Sequence, residues 1–265
     1  MSFYPSTENL PPLGALCLDY TEDIHRPPGD PLNGLSFKFP LLHEKVEQAS
    51  LWNVVSAEAF SEEFLERFAE ACLKLSRRGA VGIITSCGFL AQVQQRLASK
   101  VPIPIATSSL LQIPPLLAMR PQNEHLGVIT FDSATLGDVH FKGVGIEDSM
   151  RSRLTVIGCP ANGCLRGIIR DGAPYIHEEL EAELIDCALK LLEKDQQITA
   201  FVLECTQMPP FSTAIGKATG LPVYDVVTLI DWFYSGLQPR TFPMDAHKSA
   251  GLKRRERSDK ELRRQ

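Results

Sequence analysis

No apolar run in the chain reaches the ~18 residues that a membrane-spanning helix needs, so a membrane is not an expected partner. The opening segment MSFYPSTENLPP holds no Lys or Arg and no apolar stretch, so no secretory leader is expected there. Metal-binding spacing is also missing. The six histidines form no H-x-x-x-H or H-E-x-x-H pattern, and His43, His140 and His177 are read as surface or capping residues. Gly143-x-Gly145 is too short for a dinucleotide loop and follows no convincing strand. The seven cysteines are an odd number scattered along a long chain, unlike a secreted disulfide framework. A reducing, cytoplasmic setting follows, with thiols free for chemistry. Positive charge is scarce outside the C-terminus. Residues 246–265 carry eight Lys/Arg against three Asp/Glu, so a total of −5 leaves −10 on the rest. An acidic body argues against nucleic acid as partner, and the basic tail with Lys253-Arg254-Arg255 is read as a solvated end.

What is present alternates between two periods. Leu13–Leu18, Ala80–Thr85, Ile103–Thr107, Leu126–Phe131, Leu154–Ile157 and Ile198–Leu203 are short and nearly all apolar, as parallel strands covered on both faces should be. Between them, Phe60, Phe64, Phe68, Cys72 and Leu75 make one helical stripe, and Leu180, Leu184, Ala188, Leu191 and Leu192 make another. Alternation of this kind predicts an α/β fold with parallel sheets. The Pro- and Gly-rich stretch Asp23–Phe39 has no period and is read as a long loop, a common place for function.

An internal repeat sharpens this picture. Leu13-Gly14-Ala15-Leu16-Cys17-Leu18-Asp19 resembles Leu126-Gly127-Val128-Ile129-Thr130-Phe131-Asp132, 113 residues on. VGIITSCGF (81–89) resembles AFVLECTQM (200–208), with Cys87 and Cys205 118 residues apart. Each cysteine follows a buried strand and precedes a helix-like stretch and a second Pro-containing strand, near Pro102 and Pro222. Two similar α/β lobes are expected, residues 1–117 and 118–245. In open parallel sheets ligands sit beyond the carboxyl ends of the strands, so two facing lobes would aim both thiols into one cleft.

Two opposed thiols suit chemistry at an acidic carbon. One takes a proton from one face and the other returns one to the opposite face, provided the thiolate form is accessible. A helix start after each cysteine would add N–H donors for a carboxylate or a developing negative charge. Thr85, Ser86 and Gly88 around the first cysteine, and Thr206 after the second, are small and polar enough to bind an anion. Asp132 and Ser133 could form a polar turn at the same cleft, with Asp19 as the counterpart of Asp132. Both aspartates are equally readable as caps. Cys17, Cys72 and Cys187 are read as core, and Cys159 and Cys164 lack the spacing of a metal or redox pair.

These motifs, Thr85-Ser86-Cys87-Gly88, Leu203-Glu204-Cys205-Thr206 and Gly220–Asp225, resemble the aspartate/glutamate/hydantoin racemase superfamily over residues 12–240. The resemblance implies two pseudo-symmetric lobes, each a parallel four-stranded sheet flanked by helices, with the site in the cleft between them. It also implies no cofactor, Cys87 and Cys205 as the acid/base pair, and a helix near 226–237 packed back on the first lobe. The chain departs from glutamate racemases at Gly88-Phe89, where they carry Asn-Thr, and at Gln207, where they carry His. Phe89, Phe131, Met208 and the Asp23–Phe39 loop point to a more apolar pocket than free glutamate needs. Arylmalonate decarboxylases share a Thr-Ser-rich first loop but keep only the second cysteine.

The leading expectation is therefore a cofactor-independent racemase or epimerase acting beside a carboxylate or carbonyl of an amino-acid-like or hydantoin-like substrate. The alternatives are a maleate-type cis-trans isomerase with one nucleophilic cysteine and a non-catalytic metabolite-binding module. A small carboxylate-bearing molecule is the expected partner. Assembly into a homo-oligomer is left open.

Overall fold

The computed structural model describes residues 10–20 and 24–239. Asp23 and the basic 246–265 tail lie outside the described residues. The first sheet contains β1 (Leu13–Leu18), β2 (Leu41–Val46), β3 (Ile83–Thr85) and β4 (Ile105–Ala106) in the order β2-β1-β3-β4, with every pairing parallel. The second contains β5 (His125–Thr130), β6 (Leu154–Gly158), β7 (Ile198–Leu203) and β8 (Val223–Tyr224) in the order β6-β5-β7-β8, again all parallel. The two orders match strand for strand, with β1 answering to β5 and β3 to β7.

The inner strands form because they are apolar on both faces. Ile83, Ile84, Val128, Ile129, Val202 and Leu203 are all fully buried. Helices Glu62–Arg77 and His177–Lys194 cover one face of each sheet. The first begins at Ser61, whose hydroxyl accepts the Phe64 N–H, and it buries Leu65, Phe68, Cys72 and Leu75. The second buries Leu180, Leu184, Cys187, Ala188 and Leu191. Close seating of these helices explains the glycine in the repeated Leu-Gly motif. A Cβ on residue 14 would lie 2.9 Å from Leu75 Cδ1, and one on residue 127 would lie 2.8 Å from Phe201 Cδ1 and 3.2 Å from Leu191 Cδ1.

One core runs through both lobes; Leu16, Phe68, Leu90, Val128 and Phe201 belong to it. A second, smaller core forms where helix Val226–Leu237 returns to the first sheet. Val226, Ile230 and Tyr234 pack there with Leu13, Ala15, Phe39 and Ile84. Tyr234 stacks on Phe39 at 3.7 Å and donates its hydroxyl hydrogen to Pro11 O at 2.8 Å. Asp225 caps this helix by accepting the Thr228 N–H, while Thr228 Oγ1 accepts the Asp225 N–H, each at 2.9 Å.

Two residues differ from their expected setting. His140, expected at the surface, is fully buried edge-on to Phe89, although its Nδ1 does accept the Gly137 N–H. Cys17, read as core, is only half-buried.

Seating of helix Glu62–Arg77 on β1 has a measurable cost when disturbed. Leu75→Ala is expected to destabilise the protein by about 2–5 kcal/mol through the cavity it leaves. Gly14→Ala should cost about 1–3 kcal/mol by overpacking the same contact. Urea unfolding reads both, and an unchanged midpoint in either variant would show that the helix is not seated against Gly14.

Candidate active site

Both cysteines sit two residues beyond the carboxyl end of an inner strand, Cys87 after β3 and Cys205 after β7. Their turns are tied together across the lobes. Thr206 Oγ1 donates to Ser86 O at 2.8 Å, and Ser109 Oγ donates to Leu203 O at 2.7 Å. Within the first lobe, Thr85 Oγ1 donates to Thr107 O at 2.6 Å and to Cys87 O at 3.2 Å, which fixes the backbone at the cysteine. The result is one cavity with Cys87 and Cys205 both in its wall. Ser86, Gly88, Glu204, Thr206 and Gln207 continue that wall, and Tyr20 and Arg26 complete its polar part. The remainder is apolar: Ile24, Leu51, Val55, Phe89, Phe131 and Ile169.

Arg26 reaches the cavity from the Pro/Gly-rich loop. Its Nη1 pairs with Asp30 Oδ2 at 2.7 Å, and Asp30 also accepts the Leu32 N–H at 2.7 Å. Gln207 of the second lobe donates to the same Asp30 carboxylate. The loop therefore belongs to the first lobe in sequence and is fastened to the second lobe at the cleft. Gly29, at φ 106°, makes the close approach to Pro210, where any Cβ would lie 3.1 Å from the proline ring.

Burial dominates the electrostatics. Glu204 is 1% exposed, and burial pushes its carboxyl up to about 7, opposed by hydrogen bonds from Thr130 and the Phe131 N–H. Cys87 is pushed up to about 12 by burial and then by the Glu204 charge, although the N–H groups of Phe89 and Leu90 and the Tyr20 hydroxyl favour its thiolate. Cys205 rises well above the ordinary thiol value for the same two leading reasons, with the Gln207 N–H opposing. Without a ligand, both sulfurs carry their protons at neutral pH.

Of the residues expected at the site, Cys87, Cys205, Ser86, Gly88, Phe89, Phe131, Thr206 and Gln207 line this one cavity. Asp19, Thr85, Asp132 and Ser133 do not. Asp19 is exposed; it pairs with Lys45 at 3.1 Å and accepts the Gln48 N–H at 2.9 Å, so its chain neighbour Tyr20 occupies the wall instead. Asp132 accepts the Ala134 N–H and pairs with Arg166, each at 2.9 Å, and Ser133 is exposed. Thr85 acts behind the wall through the backbone of Cys87. Met208, expected in the pocket, is sealed in the core. The segment after Cys87 is a 3-10 turn, Gly88–Val93, rather than the expected helix start, and Cys205 is followed by the turn Pro209–Phe211. Sequence reasoning missed Tyr20, Arg26, Asp30 and Glu204. The available signals were a Tyr closing a buried strand, an Arg and an Asp four residues apart in the long loop, and a lone carboxylate ending an apolar run.

The two-lobe fold is shared with arylmalonate decarboxylase and glutamate racemase. A cysteine-bearing variant of arylmalonate decarboxylase superposes with a TM-score of 0.56 at 14% identity, covering 86% of this chain and 93% of its own. Glutamate racemase from Bacillus anthracis does so with a TM-score of 0.52 at 13% identity, covering 89% and 82%. No protein-family profile matches the chain. By sequence, a dimethylsulfoniopropionate lyase of Durusdinium sp. clade D is 29% identical over 242 residues, 89% of this chain and 79% of its own length. Dimethylsulfoniopropionate lyase 7 of Emiliania huxleyi is 28% identical over 233 residues, 86% of this chain and 67% of its own. These relatives support an enzyme. They also correct the racemase expectation, because the relatives are named as lyases, whereas the racemase likeness lies in the fold.

Burial of Glu204 makes stability depend on pH. Its carboxyl is raised from the ordinary 4.5 to about 7 in the folded chain. The folded state therefore holds the proton more tightly, and stability contributed below about 4.5 is lost as pH rises through about 7, by about 3 kcal/mol in total. Glu204→Gln, whose amide oxygen can still accept from Thr130 and Phe131, should remove this decline. Urea unfolding at about pH 4.5 and pH 8 measures it; the same difference between the two pH values in variant and parent would refute the assignment.

Proposed function

We propose that the chain is a lyase that breaks a carbon–sulfur bond in dimethylsulfoniopropionate or a closely similar sulfonium carboxylate. One observation carries this reading. Two thiols at the ends of β3 and β7 line one largely apolar cavity, whose wall among the described residues also includes the cation Arg26 and the carboxylate Glu204. A substrate with a carboxylate at one end and a permanent positive charge at the other is complementary to such walls, and the lyase relatives carry that substrate in their names.

The reaction is a β-elimination. A cysteine thiolate removes a proton from the carbon beside the substrate carboxylate. That C–H electron pair becomes the new carbon–carbon double bond. The carbon–sulfur pair departs with sulfur, turning the cationic sulfonium into neutral dimethyl sulfide. Acrylate remains, and the proton taken up by the thiol is returned to solvent before the next turnover. Negative charge building on the carboxylate is met by Arg26 and by the N–H groups of the turn after Cys87. Sulfonium charge nearby lowers the thiol pKa, opposite to the effect of Glu204, so substrate binding itself helps to form the base. Elimination needs a single base, whereas inversion of a stereocentre needs two.

Purified protein with dimethylsulfoniopropionate is expected to release dimethyl sulfide and acrylate in equal amounts, read by headspace gas chromatography and liquid chromatography. One of Cys87→Ser and Cys205→Ser should lose about 10²–10⁴-fold in turnover, the contribution of a positioned general base, and the other distinctly less. Absence of dimethyl sulfide above background, or equal loss in both variants, would count against the elimination.

A further inference from the structure

Glu204 is a buried carboxylate among the residues that line the cavity, and no cation among the described residues pairs with it. Its Oε2 accepts from Thr130 Oγ1 at 2.7 Å and from the Phe131 N–H at 3.4 Å, both neutral donors. Among the described residues, no Lys, Arg or His forms an ion pair with it; Arg26 is engaged with Asp30 and Arg166 with Asp132. Its Oε1 lies over the Cα of Gly88, where a Cβ would come within 2.2 Å. Glycine at position 88 thus makes the room that lets this carboxylate sit beside the Cys87 turn. A carboxylate removed from water without a partner costs several kcal/mol. Fold stability is better served by an apolar residue at such a position, so the arrangement points to a cation that arrives from outside.

We propose that Glu204 is the specificity determinant for the positively charged end of the substrate, selecting an onium group, a sulfonium or quaternary ammonium, over an uncharged group of the same shape. The proposal rests on the reading of the site as one that takes a sulfonium carboxylate. The surroundings favour an onium over a primary ammonium. Phe89, Phe131, Ile24 and Val55 offer apolar or aromatic surface to methyl groups and few acceptors for N–H donors. Phe131 is held in position by Arg166, whose Nε donates to Phe131 O at 3.0 Å while its guanidinium lies 5.4 Å from the ring centroid.

The test uses two ligands of one shape that cannot release sulfide: trimethylammonio-propionate and its uncharged tert-butyl isostere. Calorimetric titration of the full chain is expected to show the cationic ligand binding about 10–100-fold more tightly, the range of a desolvated charge pair. In Glu204→Gln that preference should fall to within about threefold, while affinity for the uncharged ligand is retained. If the Gln variant fails to fold, Glu204→Asp keeps the charge but draws it back from the cavity and should lose part of the preference. Equal binding of the two ligands by the parent, no measurable binding of either, or a preference that survives substitution of Glu204 overturns the proposal. Dimethyl sulfide release measured in parallel separates this outcome from that of the reaction. A charge preference that depends on Glu204 without any release leaves the counter-ion standing and removes the lyase. Release without a charge preference does the reverse.

Discussion

Burial of three ionisable groups in one cavity wall governs the behaviour of this site. Glu204, Cys87 and Cys205 would each be anionic when deprotonated, and all three line the same wall, nearly cut off from water. Burial pushes both thiols up first, and the Glu204 charge adds to the rise. The two thiols therefore hold their protons more tightly than exposed thiols do. On the proposed reading, a sulfonium entering this wall would ease the first deprotonation there.

The cavity depends on contacts made between the lobes. Thr206 holds the Ser86 carbonyl, Ser109 holds the Leu203 carbonyl, and Gln207 holds the Asp30 carboxylate that orients Arg26. Each bond crosses the cleft and ends within a few residues of a cysteine or of the arginine. Any change in how the lobes meet would be transmitted to both thiol turns through these hydrogen bonds. The buried Cys159 thiol, by contrast, meets that of Cys187 rather than Cys164, and Cys164 turns its sulfur to Glu179 at 3.6 Å.

Much of the scaffold was legible in the sequence because parallel inner strands and their covering helices leave strong apolar patterns. Six strands were read within a few residues of where they lie, and the paired cysteines placed the cavity. The edge strand Leu41–Val46 was not read as a strand, since His43 and Lys45 are exposed and interrupt its apolar run. Val223–Tyr224 is too short to show a period and was recognisable only by analogy with the first lobe. Within the site, residues on the strand ends were found because the repeat marks them. Arg26 and Asp30 were not, because a loop has no periodicity and their roles arise from a contact with Gln207, 177 residues from Asp30. Glu204 stood within a quoted motif, yet its meaning lies in its burial against Gly88, which spacing alone does not disclose. The racemase expectation failed for a chemical reason. Proton removal beside a carboxylate is common to inversion and elimination, and only the group on the next carbon separates them.

Helix Val226–Leu237 gives the duplication an asymmetric ending. It is coded after the second lobe, yet it covers Leu13, Ala15 and Ile84 of the first. A chain cut near residue 117 would leave that sheet face open to water and leave the helix without a surface to cover. The two like halves are therefore not separable: the sheet of the first lobe is completed only by a helix that follows the second.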